Sequence, residues 1–177
     1  RISNVSYFGG FISPRAADAS GIIYIDDMYF YRPAGVQETE TVLVYSFDEE
    51  DPDTLLAKGW QSTDDSVQAP ILGQGEVEPS QGTNYMAFPL TSGWANVIQT
   101  SGALAAFDRW TEVQEIMVDA RVEKAPSNWG PQTALIIQSE AGGWDQYAEN
   151  SFSTAVDSWK TLVWKVNMAK HAPSITQ

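Results

Sequence analysis

The segment at residues 115–123, EIMVDARVE, constrains the fold most strongly because its apolar and polar residues alternate. The apolar positions are Ile116, Val118, Ala120 and Val122, and they are separated by Glu115, Met117, Asp119 and Arg121. A period of two is typical of a β-strand with one buried face and one polar face. The segment therefore predicts a strand in a sheet that covers a core on one side.

Short β-rich runs recur along the chain between clusters of Gly, Pro, Ser, Asn and Asp. Strands are predicted near residues 2–8, 21–31, 41–47, 84–90, 93–99, 112–123, 132–139, 145–150 and 159–167. Many short strands at this spacing favour an all-β sandwich or jelly roll over an alternating β/α fold. A chain of 177 residues is long enough to form one such domain with a sizeable core.

The charge of the chain limits its partners. The formal net charge is -13 at pH 7, and phosphate binding needs clustered cations. Nucleic acid is therefore excluded, and an anionic membrane surface is disfavoured, whereas a neutral ligand or a cation is compatible.

No apolar stretch approaches the roughly 20 residues of a membrane span. The absence of cysteine excludes disulfides and thiolate metal sites.

Five segments together resemble the jelly-roll carbohydrate-binding modules attached to polysaccharide-degrading enzymes. VLVYSFDEEDPDTLLAKGW (42–60) is similar to their first strand and loop, SQGTNYMAFPL (80–90) to the next strand, and DSWKTLVWKVN (157–167) to a later Trp-Lys strand. ISNVSYFGGF (2–11) and GIIYIDDMYFY (21–31) are similar to their last two strands, although here they come first. The resemblance implies a jelly-roll β-sandwich of two antiparallel sheets with a circularly permuted strand order.

This interpretation treats residues 1–177 as one carbohydrate-binding domain in which residues 1–33 supply the last two strands. The polar stretch AGVQETET (34–41) is predicted to be a linker across the usual termini. Permutation succeeds where termini lie close together, so Arg1 and Gln177 are expected to be neighbours. Strand exchange between two chains would satisfy the same pairing.

The family resemblance also implies a location and a covalent partner. The modules are non-catalytic and belong to secreted, extracellular enzymes, which they target to a polysaccharide. The partners expected here are therefore a polysaccharide or oligosaccharide and the catalytic domain of a larger polypeptide. A chain that starts without Met is consistent with such a fragment.

Two adjacent acidic residues, Asp26 and Asp27, interrupt the strand predicted at 21–31. Successive strand side chains point to opposite faces, so one carboxylate must lie inward or at the sheet margin, where an unpaired charge is costly. The resembling modules carry a structural calcium that ties the acidic loop of the first strand to an Asp of the last. The matching residues are Asp26 with Asp48 or Glu49, together with backbone carbonyls near Gln81 and Thr83, and such oxygen donors suit Ca2+. The alternative is a solvated acidic loop.

Seven tryptophans exceed what a core of this size usually needs, so some are predicted to lie at the surface. An aromatic ring buries the apolar face of a sugar, while neighbouring amides and carboxylates bond its hydroxyl rim. The carbohydrate-binding candidates are Trp94, Trp129, Trp144, Tyr147, Gln138, Tyr7, Asn96 and Gln99. The expected ligand is a neutral β-linked polysaccharide of the β-glucan or β-mannan class. The alternative for any one ring is a partly buried packing role.

The remaining candidates are given structural roles. Trp60, Trp159 and Trp164 are predicted to pack in the core or at a sheet edge. His171 is the only histidine, and its place beside Pro173 near the end of the chain predicts a solvated surface residue.

The alternative functional classes are a β-sandwich glycoside hydrolase, a polysaccharide lyase and a ligand-free spacer domain. The best acidic set is Glu115, Asp119 and Glu123 on one strand face. Residues four apart on a strand lie about 13 Å apart, whereas glycosidase carboxylate pairs lie about 5–9.5 Å apart. The spacing therefore disfavours an enzyme, although carboxylates from different strands can still meet. One His and no Cys leave few nucleophile–base pairs.

Overall fold

A computed structural model describes residues 7–13, 21–34, 38–48, 60–62, 71–72, 77–90, 96–100, 112–122, 132–151 and 157–171. The strands in these ranges are β1 Tyr7–Ser13, β2 Gly21–Ala34, β3 Glu38–Tyr45, β4 Trp60–Ser62, β5 Ile71–Leu72, β6 Met86–Leu90, β7 Asn96–Thr100, β8 Glu115–Val122, β9 Gln132–Ser139, β10 Gly143–Ser151 and β11 Lys160–Lys165. A 3₁₀ helix spans Met168–His171. Within the same ranges, no helix has both the length and the apolar character to cross a membrane.

The strands form two antiparallel sheets. Sheet A has the order β10-β9-β1-β7-β4, and sheet B has the order β11-β8-β2-β6-β5, with β3 also paired to β2. The described part of the chain is therefore all-β, as the strand pattern predicts.

The two earliest strands lie inside the sheets. β1 pairs with β7 on one side and β9 on the other, and β2 lies between β8 and β6. Both strands thus join segments that follow much later in the sequence. Arg1 and Gln177 lie outside the described residues.

β2 and β3 form an antiparallel pair that extends to the pairing of Ala34 with Glu38. Residues 38–41, which the sequence places in a polar linker, are strand residues in the structure. The cross-strand hydrogen bonds available from the long β2 outweigh the polar composition of this stretch.

The core pattern of β8 follows the predicted alternation. Ile116, Val118 and Ala120 are buried on one face. Their register neighbours Met28 on β2, and Leu162 and Trp164 on β11, are buried as well. In sheet A the apolar side chains of Leu135, Ile136 and Ile137 on β9 are buried. Burial of such side chains is the main favourable contribution to the stability of the fold.

The polar face of sheet B is covered by residues 77–84, which we call the strap. The Ser80 hydroxyl donates a hydrogen bond to the Asp119 carboxylate at 2.6 Å, and Trp159 Nε1 donates one to the Glu78 carbonyl at 2.7 Å. The Trp159 ring packs against Tyr24 and Tyr85. Asp119, on the predicted solvent face of β8, is therefore buried, because the strap shields it.

A β-bulge in β2 changes where the two adjacent aspartates point. The register with β8 shifts between Asp26 and Met28, and Asp27 has a φ of 35°. The predicted alternation of Asp26 and Asp27 to opposite faces is therefore wrong. An extra residue at a bulge interrupts the period of two, so both carboxylates join one hydrogen-bond network under the strap.

Candidate functional site

Among the side chains that the structure describes, Trp144 is the most exposed large apolar one, with 54% of its surface accessible. It follows Gly143, whose φ of 65° lies in the left-handed region that favours glycine. Along β10, Trp144 and Gln146 are exposed, whereas Asp145 and Tyr147 are partly buried. The alternation places the Trp144 ring on the outer face of sheet A.

The strand register aligns three of the predicted carbohydrate-binding positions across sheet A. Trp144 pairs with Gln138 of β9, and Gln138 pairs with Tyr7 of β1. Directly opposed residues in antiparallel strands share a face, so positions 7, 138 and 144 form one row, called here the Trp144 row. Gln99 pairs with Gly9, two residues after Tyr7, and its position belongs to the same face.

Two other candidate positions belong to the opposite face. Tyr147 pairs with Leu135, and its hydroxyl donates to Asp145 at 3.2 Å and accepts from the Asn167 backbone N–H at 3.1 Å. Asn96 pairs with Ile12 and alternates with Gln99. Trp94, Trp129 and Glu49 lie outside the described residues.

The prediction of a solvated His171 is wrong, because the imidazole is fully buried. Its Nδ1 lies 2.7 Å from Ser139 Oγ, and its Nε2 lies 3.0 Å from Asp145 Oδ2. Sequence reasoning missed this network because the strand that receives the histidine is distant in sequence. The adjacent glycines of the sequence GGW (142–144) are the one sequence feature that indicates a close approach here.

Asp145 is held in its charged form by this network. Partial burial would raise the pKa of its carboxyl, but the hydrogen bonds from Lys170 and His171 outweigh that effect and lower the pKa below its ordinary 3.8. Asp145 is therefore a fixed negative charge behind the exposed Trp144, one residue away on the opposite face.

A second polar cluster lies under the strap of sheet B. Asp26 Oδ2 accepts hydrogen bonds from the backbone N–H groups of Ser80 at 2.9 Å and Gln81 at 3.2 Å. Tyr29 donates to Asp27 at 2.9 Å and accepts from the Gln81 side chain at 3.0 Å. Both aspartates are thus tied to the same segment of the strap.

Asp48 holds the other end of the strap. Its Oδ1 accepts the backbone N–H of Thr83 at 2.6 Å and of Asn84 at 3.0 Å. The Thr83 N–H bond is the main reason that the pKa of Asp48 is lowered. Four of the five residues predicted for the calcium site, Asp26, Asp48, Gln81 and Thr83, therefore share hydrogen bonds around residues 80–84. The backbone groups that face the two carboxylates there are N–H donors and not the predicted carbonyls.

Burial makes the charges of this cluster costly. Desolvation raises the pKa of Asp26 from 3.8 to about 6, and it raises the pKa of Asp27, which also feels the charges of Asp119 and Asp48. Carboxylate and carbonyl oxygens are the donors that Ca2+ prefers. Among the described residues, however, no group of three or more His, Cys, Asp or Glu side chains is arranged to hold a metal ion.

Two of the three acidic residues considered for catalysis, Glu115 and Asp119, lie in the described part of the chain, on the same strand. Asp119 accepts hydrogen bonds from Ser80 and from Thr161, both at 2.6 Å, and Glu115 lies four residues earlier on the same strand. Glu123 lies outside the described residues.

Comparison with models of protein families, with curated proteins and with solved structures gave no match.

Proposed function

We propose that this protein is a non-catalytic carbohydrate-binding module for a neutral β-linked polysaccharide of the β-glucan or β-mannan class. The observation that supports the proposal is the exposed Trp144 ring at one end of a row that includes an amide at Gln138. An indole ring stacks on the apolar face of a pyranose, and a neighbouring amide bonds its hydroxyls. The chain's -13 charge disfavours acidic polymers as ligands.

Binding without cleavage is the second part of the proposal. The carboxylates of Asp26, Asp119 and Asp145 accept structural hydrogen bonds within the protein. Glycosidases instead need two carboxyl groups facing one sugar bond from opposite sides. The domain then serves to hold an attached catalytic domain near its substrate outside the cell.

The third part of the proposal concerns the fold and a structural cation. The central positions of β1 and β2 support a jelly-roll sandwich whose last two strands come first in the chain, with its old termini bridged near residues 34–41. Asp26 and Asp48, with oxygens near Gln81 and Thr83, would hold one Ca2+ that stabilises the strap and does not touch the sugar. The burial of Asp26 supports this, because a bound cation would offset the cost of keeping a buried carboxylate ionised.

Affinity electrophoresis through gels containing β-glucan, β-mannan or xylan tests the proposed function. We expect retardation by a glucan or mannan with a Kd in the micromolar to millimolar range, because one open face buries limited ligand area. Trp144→Ala should weaken binding by about 1–3 kcal/mol, as expected for one aromatic ring. Its melting temperature should change little, because the ring is exposed.

The matched control is Val163→Ala, which truncates an exposed apolar side chain on sheet B. It should leave retardation unchanged. Release of reducing ends from any of the polymers, or equal retardation of the wild type and Trp144→Ala, would contradict the proposal.

A further inference from the structure

The segment that follows β11 supports β10 from behind the Trp144 ring. The Asn167 backbone N–H donates to the Tyr147 hydroxyl at 3.1 Å, and Lys170 forms an ion pair with Asp145. Tyr147 and Asp145 alternate with Trp144 along β10. These contacts therefore reach the strand on the face opposite the exposed ring.

One imidazole connects both strands of the β9–β10 hairpin. His171 Nδ1 contacts Ser139 Oγ, the last residue of β9, and His171 Nε2 contacts Asp145 of β10. The Gly142 backbone N–H donates to the same Ser139 oxygen at 2.9 Å. With a neutral imidazole, all three bonds are satisfied when Gly142 N–H donates to Ser139, Ser139 O–H donates to Nδ1, and Nε2–H donates to Asp145.

The fit of the turn against the ring is close. A Cβ added at Gly142 would lie 2.2 Å from His171 Nδ1, so the backbone of the turn rests directly on the imidazole. Moving the ring would therefore require moving the turn that precedes Trp144. We call Ser139, Gly142, Asp145 and His171 the His171 network.

A serine, a histidine and an aspartate in hydrogen-bonding order also form hydrolytic triads. Here Ser139 is 3% exposed and His171 is 0% exposed, so a substrate carbonyl cannot reach the hydroxyl oxygen. That oxygen already accepts a hydrogen bond from Gly142. The network therefore has a structural role and is not a nucleophilic site.

We infer that His171 is a positioning residue for carbohydrate binding, which holds the hairpin so that the Trp144 ring is presented to the sugar in one orientation. The inference rests on the proposed function. Binding by an open face loses affinity for each side chain and loop that must be ordered on association. A ring supported by a fixed hairpin avoids that loss.

Variants that remove one hydrogen bond of the His171 network, or displace the imidazole, test the inference. His171→Gln retains an amide near Nε2 for Asp145, and His171→Asn retains one near Nδ1 for Ser139. Gly142→Ala displaces the imidazole without replacing any polar side chain of the network. Each variant should raise the Kd for cellohexaose or mannohexaose about three- to tenfold, although none of these residues touches the sugar.

Two measurements follow the ring and the turn without any sugar. In protein labelled with 5-fluorotryptophan, the Trp144 resonance, assigned with Trp144→Phe, should shift or broaden in the three variants. Hydrogen exchange at the backbone N–H of position 142 should accelerate by about tenfold or more in these variants, while exchange in β8 changes much less. Ser139→Ala serves as a further variant if the histidine replacements do not fold.

The control is Met168→Ala, which destabilises the same 3₁₀ helix through a buried side chain that has no part in the network. It should lower the melting temperature but leave the Trp144 resonance and the Kd unchanged. An equal effect of Met168→Ala on the Trp144 resonance, or an unchanged resonance in all network variants, would overturn the inference. If the wild type binds no oligosaccharide, the proposed function fails, and the fluorine and exchange measurements still decide whether His171 orders Trp144.

Discussion

The Asp48 carboxylate packs closely against the strap backbone at Gly82. The Asp48 Oδ1 atom accepts hydrogen bonds from Thr83 and Asn84. Gly82 has a φ of 67°, and a Cβ added there would lie 1.9 Å from Asp48 Oδ2. A side chain at position 82 would therefore strain the backbone and also displace the carboxylate from its donors.

We predict that Gly82→Ala lowers the free energy of unfolding by about 3–5 kcal/mol, the sum of left-handed strain and lost hydrogen bonds. The matched control is Gly143→Ala, because Gly143 has a similar φ of 65° but no atom within 4 Å of the added Cβ. It should cost only about 1–2 kcal/mol. Urea unfolding measures both values, and equal losses would show that the Asp48 contact contributes nothing.

The lowered pKa of Asp145 predicts a pH dependence of stability. The unfolded carboxyl titrates near 3.8 and the folded one below it, so the contribution is complete above pH 3.8 and disappears as the pH falls through the lowered pKa. At pH 7 the wild type should be more stable than Asp145→Asn by about 1–2 kcal/mol. This difference should vanish towards pH 2.

Asp157→Asn is the control for this comparison, because Asp157 is exposed and its φ of 54° is one that Asn tolerates. Its stability relative to the wild type should not follow the Asp145 profile in urea unfolding across pH 2–7. A difference for Asp145→Asn that stays constant down to pH 2 would argue against the assigned bonds.

At the scale of elements, the strap depends on a tryptophan whose ring packs on Tyr24 and Tyr85 and whose N–H reaches the Glu78 carbonyl. Trp159→Ala should lower the free energy of unfolding by about 2–4 kcal/mol. Trp159→Phe should lose only about 1 kcal/mol, because it keeps most of the packing and lacks the hydrogen bond.

Thermal melts of the two Trp159 variants, with Trp144→Ala as the exposed-ring control, check this prediction. Trp144→Ala should stay within about 0.5 kcal/mol of the wild type. A Trp159→Ala protein that melts like the wild type would mean that the strap is held by its polar contacts alone.

The sequence predicts strands better than it predicts interruptions within them. The periodicity of β8 and the apolar run of β9 identify those strands, because side-chain alternation is a local property. The bulge at Asp27 and the burial of His171 depend instead on partners far along the chain, Asp119 for one and Ser139 for the other. Local composition carries no record of such contacts, and the burial of Asp119 under the strap was missed for the same reason.

The candidate carbohydrate-binding face was likewise predictable from the sequence only in part. The local sequence around Trp144, with its amide side chains, is enough to predict an exposed ring. The row of positions 7, 138 and 144 depends instead on the strand register, which requires knowing that β1 pairs with β9. Tyr147 and Trp144 lie on opposite faces of the sheet because side chains alternate along a strand. This follows only once residues 143–151 are known to form one strand.

At the scale of the whole molecule, the charge of -13 and the buried aspartates favour a bound cation. We predict that stability rises with the logarithm of calcium concentration, by about 2.7 kcal/mol at one hundred times Kd. EDTA should lower the melting temperature and leave polysaccharide binding intact.

Asp26→Asn should remove the calcium dependence, whereas Asp145→Asn, which changes an acidic residue in the other sheet, should retain it. Differential scanning calorimetry with and without millimolar calcium measures the melting temperatures of both variants. A wild-type melting temperature indifferent to EDTA would rule out the proposed site.

The central positions of β1 and β2 have a consequence for the order in which the molecule forms during synthesis. Phe8 emerges from the ribosome long before its register partners Thr100 and Ile137. A ribosome adds about 5–20 residues per second, so β1 waits for seconds with its backbone hydrogen-bonding groups unpaired. The Gly21–Ile25 part of β2 waits in the same way for β6 and β8, whereas residues 28–34 can pair with β3 soon after it is made. Such non-local pairing slows folding, and unpaired strands are templates for association with other chains. The nascent chain is thus vulnerable to aggregation through two segments that lie in the interior of the sheets once the protein has folded.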